Sequence, residues 1–116
     1  APRPHNSGHW TIEGALSSQF EQHVRAVLGW PLGATTRRSP TVMANVLGTV
    51  DEPRPARLGG LDDALSESGV SLHWYGKDEV RPLRKMGHLT AVGGDDAALG
   101  SLLSRARELR DGLHFD

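Results

Sequence analysis

Apolar residues Leu16, Phe20, Val24, Val27 and Leu28 recur three and four positions apart, so the spacing predicts an amphipathic helix over Glu13 to Leu28. Thr11 is placed to cap it, Glu13 suits the positive end of its dipole, and Gly29 with Pro31 ends it. Pro31 to Pro40 reads as a linker carrying Arg37 and Arg38. Val42, Ala44 and Val46 then share one face of a predicted strand. Asp51 to Gly60, rich in proline, glycine and charge, reads as a loop, and Leu61 to Ser68 as a short helix that Gly69 stops. Val70, Leu72 and Trp74 alternate with Ser71, His73 and Tyr75 in a second strand. Met86 to Val92 is a third strand of imperfect alternation, and Gly76 to Lys85 is a long connection if the two pair. After Gly93-Gly94, Asp95 or Asp96 is placed to cap a last helix whose apolar stripe is Leu99, Leu102, Leu103, Ala106, Leu109 and Leu113. Arg107 and Arg110 lie near its negative end.

This order of elements predicts an α+β fold with a small mixed or antiparallel sheet. No internal repeat is visible, and none of the common phosphate-cradling, zinc-protease or serine-hydrolase motifs is present.

Composition narrows the function classes. A chain of 116 residues suits one domain, or a small domain plus a piece of another. Thirteen Lys and Arg against 14 Asp and Glu leave a formal charge of -1, which disfavours general binding to nucleic acid or to anionic membranes. Any anion site must therefore be local. The absence of Cys excludes disulfides, thiol nucleophiles and thiolate zinc sites. No run approaches the roughly 18 to 20 apolar residues of a membrane span, and the expected compartment is the cytoplasm. The start at Ala-Pro-Arg-Pro, without Met, reads as a processed chain or a piece of a longer one.

The densest chemical candidate is Pro2-Arg3-Pro4-His5-Asn6-Ser7-Gly8-His9. Prolines stiffen it, Arg3 offers a planar fork, Asn6 and Ser7 offer neutral donors, and His5 titrates near neutral pH, a set able to grip an oxyanion. An exposed arm that only makes turns has the same composition. His5 and His9 lack a nearby carboxylate, so metal ligation is disfavoured. Tyr75 to His88 holds a second cluster, with Lys77, Arg81, Arg84 and Lys85 against Asp78 and Glu79. Lys as a point charge and Arg as a fork suit a phosphate monoester, although a solvated connection would look alike. Glu21 and His23 are two apart and point to different faces, so they read as surface or packing residues. Trp10, Trp30 and Trp74 read as core anchors.

Three blocks, PRPHNSGHWTIEGALSSQFEQHVRAVLGWPLG, MANVLG, and YGK followed by RPLRKMGH, together resemble the 5-(carboxyamino)imidazole ribonucleotide synthase family of ATP-grasp ligases. The resemblance covers nearly the whole chain, Val50 to Gly69 excepted. It implies carboxylation of the amine of 5-aminoimidazole ribonucleotide in purine biosynthesis, with ATP, magnesium and bicarbonate, through carboxyphosphate. It further implies catalytic roles for Arg3 and His5, substrate binding by Asn6 and Ser7, and a grip on the ribonucleotide 5′-phosphate by Lys77 and Arg84. The family's Asn-Glu-Ile, whose carboxylate helps hold magnesium, stands just before the residues matched here. The expectation is thus the final quarter to third of the enzyme: residues 1–29 as the last strand-loop-helix of the ATP-grasp domain, and 30–116 as a small carboxy-terminal domain. The resemblance implies a homodimer whose isolated fragment is inactive. Another purine-pathway ATP-grasp ligase and a non-catalytic binding or oligomerisation module are the alternatives.

Overall fold

Alternation does place strands where it predicts them. In the computed structural model, which describes Pro2 to Asp116, the strands are β1 (Thr41–Leu47), β2 (Arg54–Pro55), β3 (Leu58–Gly59), β4 (Val70–Trp74), β5 (Glu79–Val80), β6 (Lys85–Val92) and β7 (His114–Phe115). Helices are α1 (Thr11–Gly14), α2 (Gln19–Val27), α3 (Leu61–Ser66) and α4 (Leu99–Gly112). Ala1 lies outside the described residues. The main sheet is antiparallel in the order β1-β6-β4, and β2-β5 and β3-β7 form two small ribbons. The fold is α+β, as expected.

Register explains why β6 alternates so poorly. Val42, Ala44 and Val46 of β1 and Val70 and Leu72 of β4 pair with Ala91, Leu89 and Gly87 along one face of the sheet. The pairing steps from Val46↔Gly87 to Leu47↔Lys85 and skips Met86, a bulge that brings Met86 into the same core as Leu89. Helix α4 covers this face with Ala106 and Leu109, and Leu113, Phe115 and Ala64 of α3 complete it. The other face carries Ser71, His73, His88 and Thr90, and the segment leading into α1 lies over it. A central strand covered on both faces has no solvent side, so its polar residues His88 and Thr90 are buried like its apolar ones.

Several expectations are corrected. The first helix is two helices. Gly14 O accepts from Arg38 N–H (2.7 Å) and Leu16 N–H donates to Thr36 O (3.0 Å), which pulls Ala15 into extended backbone. Ser18 then restarts the helix as its cap, accepting from the Glu21 N–H at 3.1 Å. Thr11 is the N-cap of neither helix, although its Oγ1 accepts from the first backbone N–H of α2, that of Gln19, at 2.9 Å. Gly29, at φ +68°, does stop α2. The loop expected at Asp51 to Gly60 contains β2 and β3, and the connection from Gly76 to Lys85 contains β5. Ala98, not Asp95 or Asp96, precedes α4, and Leu99 and Leu103 face solvent. Trp30 is 60% exposed and Trp74 is exposed too, so neither is a core anchor.

Leu89 is wholly buried at the centre of the sheet, between Ala44 and Leu72. Leu89→Ala is expected to lower unfolding free energy by about 2 to 5 kcal/mol in equilibrium urea titration, since the sheet cannot collapse around the void. A loss below about 1 kcal/mol would contradict this placement of the core.

Candidate active site

The His5 turn is built by its own side chains and by residues further along. Asn6–Gly8 forms a single 3-10 turn capped by His5, whose Nδ1 accepts from the Ser7 N–H at 3.1 Å with Ser7 Oγ at 3.0 Å. Because a backbone N–H can only donate, Nδ1 is the acceptor and the proton of a neutral His5 ring is on Nε2. The Gln19 carboxamide grips the His5 backbone from both sides, accepting from N–H at 3.0 Å and donating to the carbonyl at 2.7 Å. Arg3 lies exposed two residues earlier.

Under this turn four rings form a continuous stack. His9 stacks on Phe20 (5.5 Å between centroids) and on His88 (4.8 Å), and His88 stacks on its cross-strand partner His73 (4.4 Å). His73 Nε2 pairs with Glu13 of α1, and the Tyr75 hydroxyl lies 2.8 Å from His88 Nδ1. A cavity of about 460 Å³ opens here, with Ile12, Leu72 and Trp74 completing its walls. His88 is only 2% exposed. Burial, then His73 and His9, push its pKa down to about 4. Burial, then His73, His5 and Lys85, likewise hold His9 below the usual imidazole range. Burial raises the Tyr75 phenol, against a smaller opposing pull from the Asn6 side chain. His9 and His88 are therefore held neutral within the stack.

Tyr75 connects the turn to the cationic cluster. Lys77 Nζ lies over its ring, 5.8 Å from the centroid, and donates to Lys85 O at 2.6 Å. Arg84, one residue before Lys85, donates from Nη1 to Glu79 O at 2.9 Å. The turn bearing Arg84 is clamped to β1's end: Leu83 N–H donates to Gly48 O (2.9 Å) and Gly48 N–H to Arg84 O (2.8 Å). Leu83 is held at φ +60°, a conformation costly for a side chain with a γ-branch. Gly48 is required there, since a Cβ would come within 2.0 Å of Arg81 O. Arg81 is exposed and paired with Glu79.

The structure thus brings His5, Asn6 and Ser7 to one turn, and brings Lys77 and Arg84 to the start of β6. Sequence reading missed Gln19, Glu13, Tyr75 and the His73–His88 pair. Two signals were available: Ser18 and Glu21 at capping-box spacing, and two histidines on the non-core phase of their strands. Glu21 pairs with Arg25 on the surface at 2.6 Å, as a surface residue should. Among the described residues no three His, Asp or Glu side chains converge as a metal-holding group, and no helix is long and apolar enough to cross a membrane.

The family model for the phosphoribosylaminoimidazole carboxylase C-terminal domain matches residues 41–101. The chain is 53% identical over 103 residues to an N5-carboxyaminoimidazole ribonucleotide synthase of Mycobacterium tuberculosis, covering 85% of this chain and 23% of that protein. It superposes on the crystal structure of N5-carboxyaminoimidazole ribonucleotide synthetase from Thermotoga maritima with TM-score 0.89 and 49% identity, over 98% of this chain and 31% of that one. The N5-carboxyaminoimidazole synthase of Aspergillus clavatus, crystallised with ADP and 5-aminoimidazole ribonucleotide, matches at TM-score 0.73 and 33% identity over 94% of this chain and 29% of that one. The chain spans about a quarter of the length of the curated relatives it matches.

The buried stack makes stability pH-dependent. An unfolded imidazole takes up a proton near 6.5, whereas His88 stays neutral in the fold until about 4. Between those values the unfolded state holds more protons, so stability falls as pH falls, by about 3 kcal/mol across the window from this one ring. Below about 4 both states are charged and the loss stops. His88→Phe keeps an aromatic ring and removes the titration, and its unfolding free energy is expected to vary less between pH 6.5 and 4 than that of the unchanged chain. Parallel profiles for the two would contradict a neutral His88.

Proposed function

The chain belongs to the phosphoribosylaminoimidazole carboxylase C-terminal domain family, and from that premise we propose that it is the carboxy-terminal part of a ligase that carboxylates the amine of 5-aminoimidazole ribonucleotide, using ATP and bicarbonate. The observation that carries this reading is the junction at Tyr75, where the ring that hydrogen-bonds the histidine stack beneath the His5 turn also lies under Lys77. An anion-orienting turn and a phosphate-type cation pair linked through Tyr75 suit a substrate with a reacting amine at one end and a phosphate at the other. The Aspergillus clavatus relative was crystallised with a ligand of that kind.

In this reading ATP phosphorylates bicarbonate, and the exocyclic amine attacks the carboxyl carbon of carboxyphosphate, forming a C–N bond as the C–O bond to phosphate breaks. Arg3 stabilises oxygens that gain negative charge during transfer. His5, whose Nδ1 is occupied by Ser7 N–H, presents Nε2–H as a donor that orients a bicarbonate oxygen or passes a proton. Asn6 and Ser7 bind the substrate beside it. Lys77 and Arg84, each anchored to a backbone carbonyl, hold the 5′-phosphate with their remaining N–H donors. ATP and magnesium are held by the remainder of the ligase. Residues 1–29 complete its ATP-grasp domain and 30–116 form the carboxy-terminal domain, in a cytoplasmic homodimer.

The exposed face of α2 supports a covering partner of that kind, since Phe20, Val24 and Leu28 are each about half exposed beside Trp30. The isolated chain is therefore expected to self-associate in sedimentation analysis and to release no ADP in a bicarbonate-dependent manner. Turnover by a homogeneous sample of the chain would count against the reading.

Charge-assisted contacts to phosphate contribute on the order of 1.5 to 3 kcal/mol each. Arg84→Met in the complete ligase is therefore expected to raise the KM for aminoimidazole ribonucleotide about tenfold or more and to spare the KM for ATP. Unchanged ribonucleotide kinetics would remove Arg84 from substrate binding, and the same result for Lys77→Met would remove the cation pair from it altogether.

A further inference from the structure

The break between α1 and α2 places Gln19 directly beneath the His5 turn, and its carboxamide has no polar atom to spare. Oε1 accepts from His5 N–H, while Nε2 donates to His5 O and to His9 Nδ1, the last at 2.9 Å. The His5 N–H fixes the orientation of this amide, because only an oxygen can face a donor there. Nε2 must then face His9, so His9 Nδ1 is an acceptor and the ring is neutral, as its burial favours. The Gln19 backbone N–H donates to Thr11 Oγ1 at 2.9 Å, and that hydroxyl donates to Gly8 O at 2.6 Å. Both ends of the turn are thus held from the same point. Gly8 makes room for it, since a Cβ at that position would come within 2.4 Å of Gln19 Oε1.

We propose that Gln19 is a positioning residue: its carboxamide couples the backbone of His5 to the His9–His88–His73 stack of the sheet and so sets where the His5 imidazole stands over the substrate. The inference rests on the reading of His5 as a group that touches the reacting atoms. His5 lies on an exposed turn whose conformational freedom Gln19 removes. A displacement of about 1 Å at such a group can cost a hundredfold in rate. Because Gln19 contacts the turn and not the cations at β6, its loss should fall mainly on turnover, with only a small effect on affinity through Asn6 and Ser7 of the same turn.

The test uses the complete ligase. Gln19→Met keeps the side chain's length and volume and removes all three carboxamide contacts. It is expected to lower kcat at least tenfold, with the KM values for ATP and aminoimidazole ribonucleotide within about threefold of the parent and the melting temperature little changed. Amide exchange in the peptide spanning Arg3 to Gly8 should quicken in parallel. His9→Phe keeps the stack but removes the Nδ1 acceptor, and should give a smaller kcat loss in the same direction. Unchanged kcat in Gln19→Met, or a loss matched by a rise in both KM values and a fall in melting temperature, would overturn the proposal. His5→Ala, measured alongside, separates the two readings. A kcat collapse there with a silent Gln19→Met sinks only the positioning role, whereas a silent His5→Ala sinks the assignment of His5 and the positioning role with it.

Discussion

The structure depends on having β6 buried on both faces. A strand in that position must hydrogen-bond fully to its neighbours and can carry polar side chains only if something other than water satisfies or shields them. On one face the requirement is met by aliphatic packing against α4. On the other face His88 and Thr90 are as buried as the core leucine, and the chain segment folded over them shields them from water while Tyr75 bonds His88 Nδ1. That segment carries the candidate turn of His5, Asn6 and Ser7. Covering a polar sheet face and presenting the candidate turn are therefore one structural task.

Stacking resolves the cost of that polar face. Three imidazoles in contact would repel one another if charged, and burial removes the solvent that would screen them. Keeping His9 and His88 neutral converts them into flat aromatic surfaces with hydrogen-bonding edges. The edges of all three rings are then used: His73 toward Glu13, His88 toward Tyr75, His9 toward Gln19. Each edge ties a different segment to the sheet. Through Tyr75 the same platform reaches the Lys77 connection, and the clamp at Gly48 fixes the turn bearing Arg84 independently. The two parts of the candidate site are thus mounted on a common strand by separate devices.

Every residue of the apolar stripe that identifies α2 is exposed to solvent. Its exposure accords with a chain that matches only about a quarter of its curated relatives, in which further polypeptide is available to cover such a face. Amphipathicity alone marks a helix as having a buried side without saying which surface buries it.

The sequence by itself determined the α+β class, the three main strands, the last helix, and the two segments that carry candidate chemistry, because each depends on local periodicity, turn residues or local charge. It did not reveal the break at Ala15, which needs backbone pairing with Thr36 and Arg38, more than 20 positions away. Nor did it reveal the partners of Gln19, Glu13 and Tyr75, or that His73 and His88 meet. A lone histidine on a strand carries no sign of its cross-strand neighbour, since that is set by register, and register is chosen by the hydrophobic face as a whole. Only the tertiary structure decided which polar residues would be buried together, because burial belongs to the packed sheet and not to any one segment of chain.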